Sequence, residues 1–227
     1  MADRLKGKRV VVTQAADFMG PVTVEVFQEE GAEVIADTRS LVTAEACRAL
    51  IEESDPVDVL VANLASPNFS GTAVTDIADD DWRTPFNQLV HPLHWLTQAV
   101  LPSMIERRQG KIVAYGSATA LRGLKTLCAY SAARAAQVGY IQSVGVEAAP
   151  HNVQINLIAQ NYVESADYYP PELMEKPSFV ASLKRQVPVG RLGTPREDAM
   201  FALFLASDEC GFMTGQAFPF AGGWAQR

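Results

Sequence analysis

Short apolar runs of strand length alternate with helical stretches along this chain, and that alternation narrows the possible folds more than any other feature. Arg9 to Thr13, Glu33 to Asp37, Val57 to Asn63, Lys111 to Tyr115, Val153 to Ile158 and Gln216 to Phe220 read as strands. Val22 to Glu30, Leu41 to Glu53, Asp80 to Arg107 and Ala129 to Ala149 read as helices. A further helix opens at Thr194-Pro195-Arg196-Glu197, where Thr194 can cap, Pro195 fits the first helical position and Glu197 completes a capping box. Val- and Ile-rich strands separated by helices make βαβ units, and such units build a parallel sheet covered on both faces. The predicted fold is therefore α/β: a Rossmann-like, doubly wound parallel sheet in three α/β/α layers.

With no repeat, linker or low-complexity tract, residues 1–227 form one expected domain. The stretch at about 159–190 carries four prolines and three tyrosines and reads as an irregular functional loop. Ligands in such sheets sit beyond the carboxyl ends of the strands. The net charge of −7, with no Lys/Arg block, argues against nucleic acid as a partner. Three cysteines without metal-ligand spacing suit a reduced, cytoplasmic chain. The charged N-terminus has no apolar signal core, and no apolar run reaches membrane-spanning length, so no membrane partner is expected. His91 and His94 lie three apart without a third ligand nearby, so no metal is expected.

Ser117 follows the fourth strand, and Tyr130 and Arg134 are four apart on the next helix. That spacing puts both side chains on one helix face. A guanidinium stays charged at any working pH and favours a neighbouring phenolate, which suits Tyr130 as a general base. Ser117 can hydrogen-bond the same substrate oxygen. A serine after the fourth strand followed by Tyr-x-x-x-basic resembles the active site of the short-chain dehydrogenases/reductases. The resemblance runs from the first strand to Ala221-Gly222-Gly223. Members of that family usually carry lysine where this chain has Arg134, and in that departure the chain is similar to the halohydrin dehalogenases.

The first strand-to-helix turn separates the two groups. Nucleotide-binding members have Thr-Gly-x-x-x-Gly-x-Gly there, so that backbone can approach a pyrophosphate at the helix N-terminus. Here the turn reads Thr13-Gln14-Ala15-Ala16-Asp17-Phe18-Met19-Gly20, which keeps only the last glycine. Thr-x4-Phe-x-Gly resembles the dehalogenase pattern, in which an aromatic ring takes the cofactor's space. Asp37 then reads as a relic or a loop cap, and Asn63-Leu64-Ala65 departs from the usual Asn-Ala-Gly.

The resemblance implies an enzyme with no cofactor that converts vicinal haloalcohols to epoxides, releasing halide, and opens epoxides with small anions. It implies a halide and substrate pocket of Phe18, Gln160, Asn161, Tyr162, Val163 and Tyr169, with the N–H groups of Tyr162 and Val163 facing the anion. Dehalogenases of this kind have proline where this chain has Gln160. The resemblance also implies a homotetramer. The alternative is an NAD(P)-dependent short-chain oxidoreductase with a degenerate nucleotide fingerprint. Cys128 reads as a cavity-lining or filler residue, Trp224 as a cover for the site or terminal packing, and Asn87 as the place of a helix bend.

Overall fold

The computed structural model describes residues 3–165 and 168–226; Ala166 and Asp167, inside the 159–190 stretch, lie outside them. Six strands form one parallel sheet in the order β2-β1-β3-β4-β5-β6. They are β1 (Arg9–Val12), β2 (Glu33–Ala36), β3 (Val59–Asn63), β4 (Gly110–Ser117), β5 (Val153–Gln160) and β6 (Gln216–Phe220). Every residue of β3, β4 and β5 is buried, whereas the edge strands β2 and β6 are partly open. This is the burial expected of central parallel strands covered on both faces. Strand order reverses between β1 and β3, so the crevice for a ligand opens at the carboxyl ends of those two strands.

Two apolar cores flank the sheet. One packs Leu50, Leu89, Leu96, Val100 and Ile141, from α2 (Ala44–Ser54), α4 (His91–Arg107), α5 (Cys128–Ala148) and the turn before α4, onto Leu60 and Ile112. The other packs Val26, Phe27, Ala199 and Leu203, from α1 (Gly20–Glu29) and α8 (Pro195–Ala206), onto Val10, Val61 and Val113. Local chemistry sets the ends of these helices. Thr43 caps α2 by accepting from the Ala46 N–H, and Thr194 and Glu197 form the expected capping box on α8.

Two features depart from the sequence reading. The long helical region divides into α3 (Asp79–Pro85), a π-helical turn over Phe86–Val90, and α4. Pro92 brings no N–H to the preceding turn, so regular α geometry does not run through this point. Asn87 lies inside the widened turn. The 159–190 stretch is not irregular throughout, because it holds α6 (Pro171–Met174) and the amphipathic α7 (Pro177–Gln186). Leu183 and Phe179 of α7 pack with Val187, Leu192, Ala221 and Trp224 in a third cluster, which roofs the carboxyl end of β5.

One buried group makes a test of the fold. Asp198 of α8 is fully buried, both its carboxyl oxygens lack a hydrogen-bond partner, and desolvation raises its pKa well above the ordinary value. The neutral carboxyl is the form the fold accepts. Its contribution to stability is whole below the unfolded carboxyl pKa of about 3.9. It is lost as pH rises toward the raised folded value. Asp198→Asn is expected to raise the melting temperature by a few degrees, about 2–4 °C per kcal/mol for a chain of this size, at pH 7. It should change little at pH 4. Melting curves at both pH values check this, and a loss of stability at pH 7 would refute it.

Candidate active site

Ser117 ends β4 and is buried; its Oγ accepts from the Thr119 N–H (3.2 Å) and shares a hydrogen bond with Thr119 Oγ1 (3.0 Å). Tyr130 stands in the first turn of α5. Arg134, one turn on, is buried and reaches back across the sheet end. Its Nη1 donates to the Tyr115 carbonyl (3.0 Å) and to Gln137 Oε1 (2.9 Å), and its Nη2 donates to the Leu64 carbonyl (3.1 Å). Its guanidinium carbon lies 5.1 Å from the centroid of the Tyr130 ring, a cation–π stack. Arg134 thus ties α5 to the carboxyl ends of β3 and β4 and backs the tyrosine.

Gln137 was not legible as a site residue. It holds Arg134 on one side and donates from Nε2 to the Leu89 carbonyl in the π-helical turn (2.9 Å) on the other. The signal in the sequence was a polar residue three positions after Arg134 on an alanine-rich face.

Ser117 and Tyr130 line one cavity of about 170 Å³, together with Phe18, Gln160, Asn161, Tyr162, Val163 and Tyr169. All the expected pocket residues therefore meet. Asn68, Thr119, Leu127 and Tyr168 join them, and Tyr168 packs edge-on against Phe18 (6.1 Å between ring centroids). Tyr162 stacks on Tyr169 and meets Trp224 edge-on (5.8 Å), and Arg122 stacks over the Trp224 ring (4.8 Å). Trp224 thus packs behind the site wall within its own chain. Burial pushes the phenols of Tyr162 and Tyr169 above their ordinary pKa, which makes them neutral wall groups. One expectation needs correction: the Tyr162 N–H does not face the cavity as a free donor, because the Asn161 side chain accepts it at 2.9 Å. Cys128 begins α5 and is partly exposed. His91 and His94 pack against Trp95 and Tyr140, and no group of metal-binding side chains occurs among the described residues.

The turn after β1 keeps a shape that its side chains conceal. Gln14 and Phe18 both take left-handed backbone angles (φ 45° and 52°), where glycine is normally favoured. A Cβ on Gly20 would lie 2.6 Å from the Ala15 backbone, so the helix start packs tightly on the turn. Asn63 at the end of β3 donates to the carbonyls of Gln14 (3.0 Å) and Asp17 (2.9 Å), and Gln14 Oε1 accepts from the Ala65 N–H (2.7 Å). Asp37 caps the loop after β2, accepting from the N–H and the guanidinium of Arg39.

Two more depressions continue from Ser117 and Tyr130 along the carboxyl edge of the sheet. One, of about 690 Å³, shares Asn68 and Tyr168 with the first cavity. The next, of about 180 Å³ between Gln14, Ser40, Leu41 and Ala65, shares Ala65 and Gln88 with the second. They adjoin one another as a groove, shallow and open in its middle, from the loop after β2 to Tyr130, along the carboxyl edge where doubly wound sheets bind dinucleotides. The turn keeps the glycine-like backbone angles that such a cofactor needs, and the side chains of Gln14 and Phe18 line the groove beside it.

A family model described as enoyl-(acyl carrier protein) reductase matches residues 5–225. The chain belongs to the short-chain dehydrogenase/reductase family. The 3-oxoacyl-[acyl-carrier-protein] reductase FabG of Thermotoga maritima is 30% identical over 97% of this chain and 98% of its own length. A 3-oxoacyl (acyl-carrier-protein) reductase from Agrobacterium tumefaciens with NADP bound superposes with TM-score 0.87 at 27% identity, over 98% of this chain and 96% of that one. A structure described as a dehalogenation enzyme superposes with TM-score 0.85 at 32% identity, over 98% and 100%.

These relationships overturn the expectation of a cofactor-free haloalcohol dehalogenase: the family model and the curated relative are reductases, and a neighbour of similar likeness holds NADP. The physical reason lies in the turn. Sequence reasoning took the loss of two glycines as loss of the nucleotide-binding conformation, yet Gln14 and Phe18 adopt the backbone angles that glycine would supply. Among the described residues no helix is long and apolar enough to cross a membrane.

Proposed function

We propose that this protein is an NAD(P)-dependent short-chain oxidoreductase with a degenerate nucleotide fingerprint, acting on the hydroxyl or carbonyl of a small molecule. The observation that carries this reading is the groove that runs past the left-handed turn and ends at Ser117 and Tyr130. The turn from Gln14 to Gly20 would hold the phosphates, and Ser40, Leu41 and Ala65 would hold the adenosine end. When bound, the nicotinamide donates or accepts a hydride. Ser117 holds the substrate oxygen through its hydroxyl. Tyr130 gives that oxygen a proton in reduction and takes one in oxidation. Arg134, fixed by two backbone carbonyls and Gln137, keeps the tyrosine ring in place. Half-buried Trp95, Tyr140 and Val144 and exposed Val146 on α4 and α5 support assembly as a homotetramer. Light scattering at four times the 24.6 kDa chain mass would test that.

Phe18 in the cavity wall and the arginine at position 134 are places where the chain departs from the nucleotide-binding pattern. Nucleotide affinity tests the oxidoreductase reading. Titration with NADPH and NADH, followed by tryptophan fluorescence, is expected to show saturable binding. Gln14→Gly combined with Phe18→Gly should tighten it about tenfold, or about 1.4 kcal/mol, because both positions already have glycine-like angles. No binding by either protein, together with halide release from 1,3-dichloro-2-propanol without nucleotide, would overturn the oxidoreductase reading.

A further inference from the structure

Gln160 ends β5 and is only 5% exposed, yet it lines the cavity of Ser117 and Tyr130. Its Oε1 is buried with no hydrogen-bond partner. A buried amide left without a partner costs free energy, of the order of 1–3 kcal/mol, and native folds seldom leave one so. Exchanging the amide's oxygen and nitrogen would leave an unpaired donor in the same place. A hydroxyl satisfies either arrangement, since it both donates and accepts.

The register fixes where that hydroxyl would have to be. Gln160 is the direct partner of Ser117 on the neighbouring parallel strand. Adjacent strands lie about 4.8 Å apart, and paired residues project to the same face of the sheet. The Gln160 side chain therefore leaves the sheet on the same side as Ser117, one strand over, so that a hydroxyl held by Gln160 would belong to the same small end of a substrate as the oxygen held by Ser117. The rest of the wall is mixed. Asn68, Asn161 and Thr119 supply polar groups, while Phe18, Leu127 and Tyr169 are apolar. A volume of about 170 Å³ holds roughly six waters at about 30 Å³ each, room that suits a reacting end of a few carbons.

We propose that Gln160 is a specificity-determining residue that binds a second hydroxyl, vicinal to the reacting oxygen, so that the substrates are small α-hydroxy carbonyl compounds and their 1,2-diols. This rests on the oxidoreductase reading for the reaction, though not for the binding.

The test compares 3-hydroxy-2-butanone with 2-butanone as substrates for reduction with NADPH or NADH. Wild type is expected to favour the hydroxyketone about tenfold in kcat/KM, the scale of one net hydrogen bond. Gln160→Leu should bring the ratio to within about threefold of unity. A merely structural role for Gln160 would lower both substrates together and leave the ratio where it was, which would overturn the proposal, as would a wild type with no preference. Gln160→Met serves if the leucine variant does not fold. If neither ketone is reduced, the oxidoreductase reading has failed, and the proposal is decided by binding instead. Saturation-transfer NMR should then show 2,3-butanediol bound more tightly than 2-butanol by wild type and equally by the variant. Equal binding by wild type would overturn it.

Discussion

Tyr130→Phe is expected to lower kcat by at least about a thousandfold on any substrate the protein turns over, within the range set by a positioned general acid–base. The melting temperature should stay within about 2 °C of wild type. The phenyl ring that remains still offers its face to Arg134, whose guanidinium carbon sits 5.1 Å from the ring centroid, and the guanidinium's own hydrogen bonds run to Tyr115, Leu64 and Gln137 rather than to the phenol oxygen. The substitution therefore removes the phenol oxygen and little else. NADPH affinity should not move, because the groove reaches the tyrosine only at its end. Steady-state rates, a melting curve and a nucleotide titration on the same variant separate these effects. Retention of more than about a tenth of the wild-type rate would remove Tyr130 from the chemistry.

How much of this was legible in the sequence depended on which physical signal reported it. Burial on both faces leaves a plain mark, so the Val- and Ile-rich strands and their parallel sheet could be read directly, with ends shifted by a few residues, while the strand order could not. The i,i+4 spacing of Tyr130 and Arg134 put them on one face in sequence and in structure alike. The capping box at Thr194 was also visible, because its two residues act on each other locally. Backbone angle at the first turn was not visible. Side-chain identity reports backbone conformation only through propensity, and Gln14 and Phe18 hold left-handed angles because Asn63 binds the turn's carbonyls from a different strand. Long-range pairing hid the Tyr162 detail less than loop chemistry did, since its N–H goes to the residue just before it. Gln137 was missed because its role depends on a π-helical turn some fifty positions earlier.

Arg134 makes the largest expected change in stability. It is 3% exposed, and its two terminal nitrogens serve the Tyr115 carbonyl, the Leu64 carbonyl and Gln137, while its Nε is buried without a partner. Arg134→Met keeps most of the side chain's length and packing but leaves those acceptors without a donor. Each buried acceptor so orphaned costs about 1–3 kcal/mol, so a loss of about 3 kcal/mol or more is expected. At about 2–4 °C per kcal/mol, the melting temperature should fall by about 10 °C. Arg134→Lys restores the residue usual in the family, yet an ammonium is a point donor and cannot span the carbonyls of two strands as a planar fork does. It should therefore fall between wild type and the methionine variant in stability. Gln137→Leu in the same background supplies the coupling. If Arg134 and Gln137 act as one network, the double variant loses less than the two single losses combined. A methionine variant that melts with wild type would mean the guanidinium is a charge placed for substrate chemistry alone. The hydrogen bonds to Tyr115 and Leu64 would then be incidental to what holds α5 against the sheet.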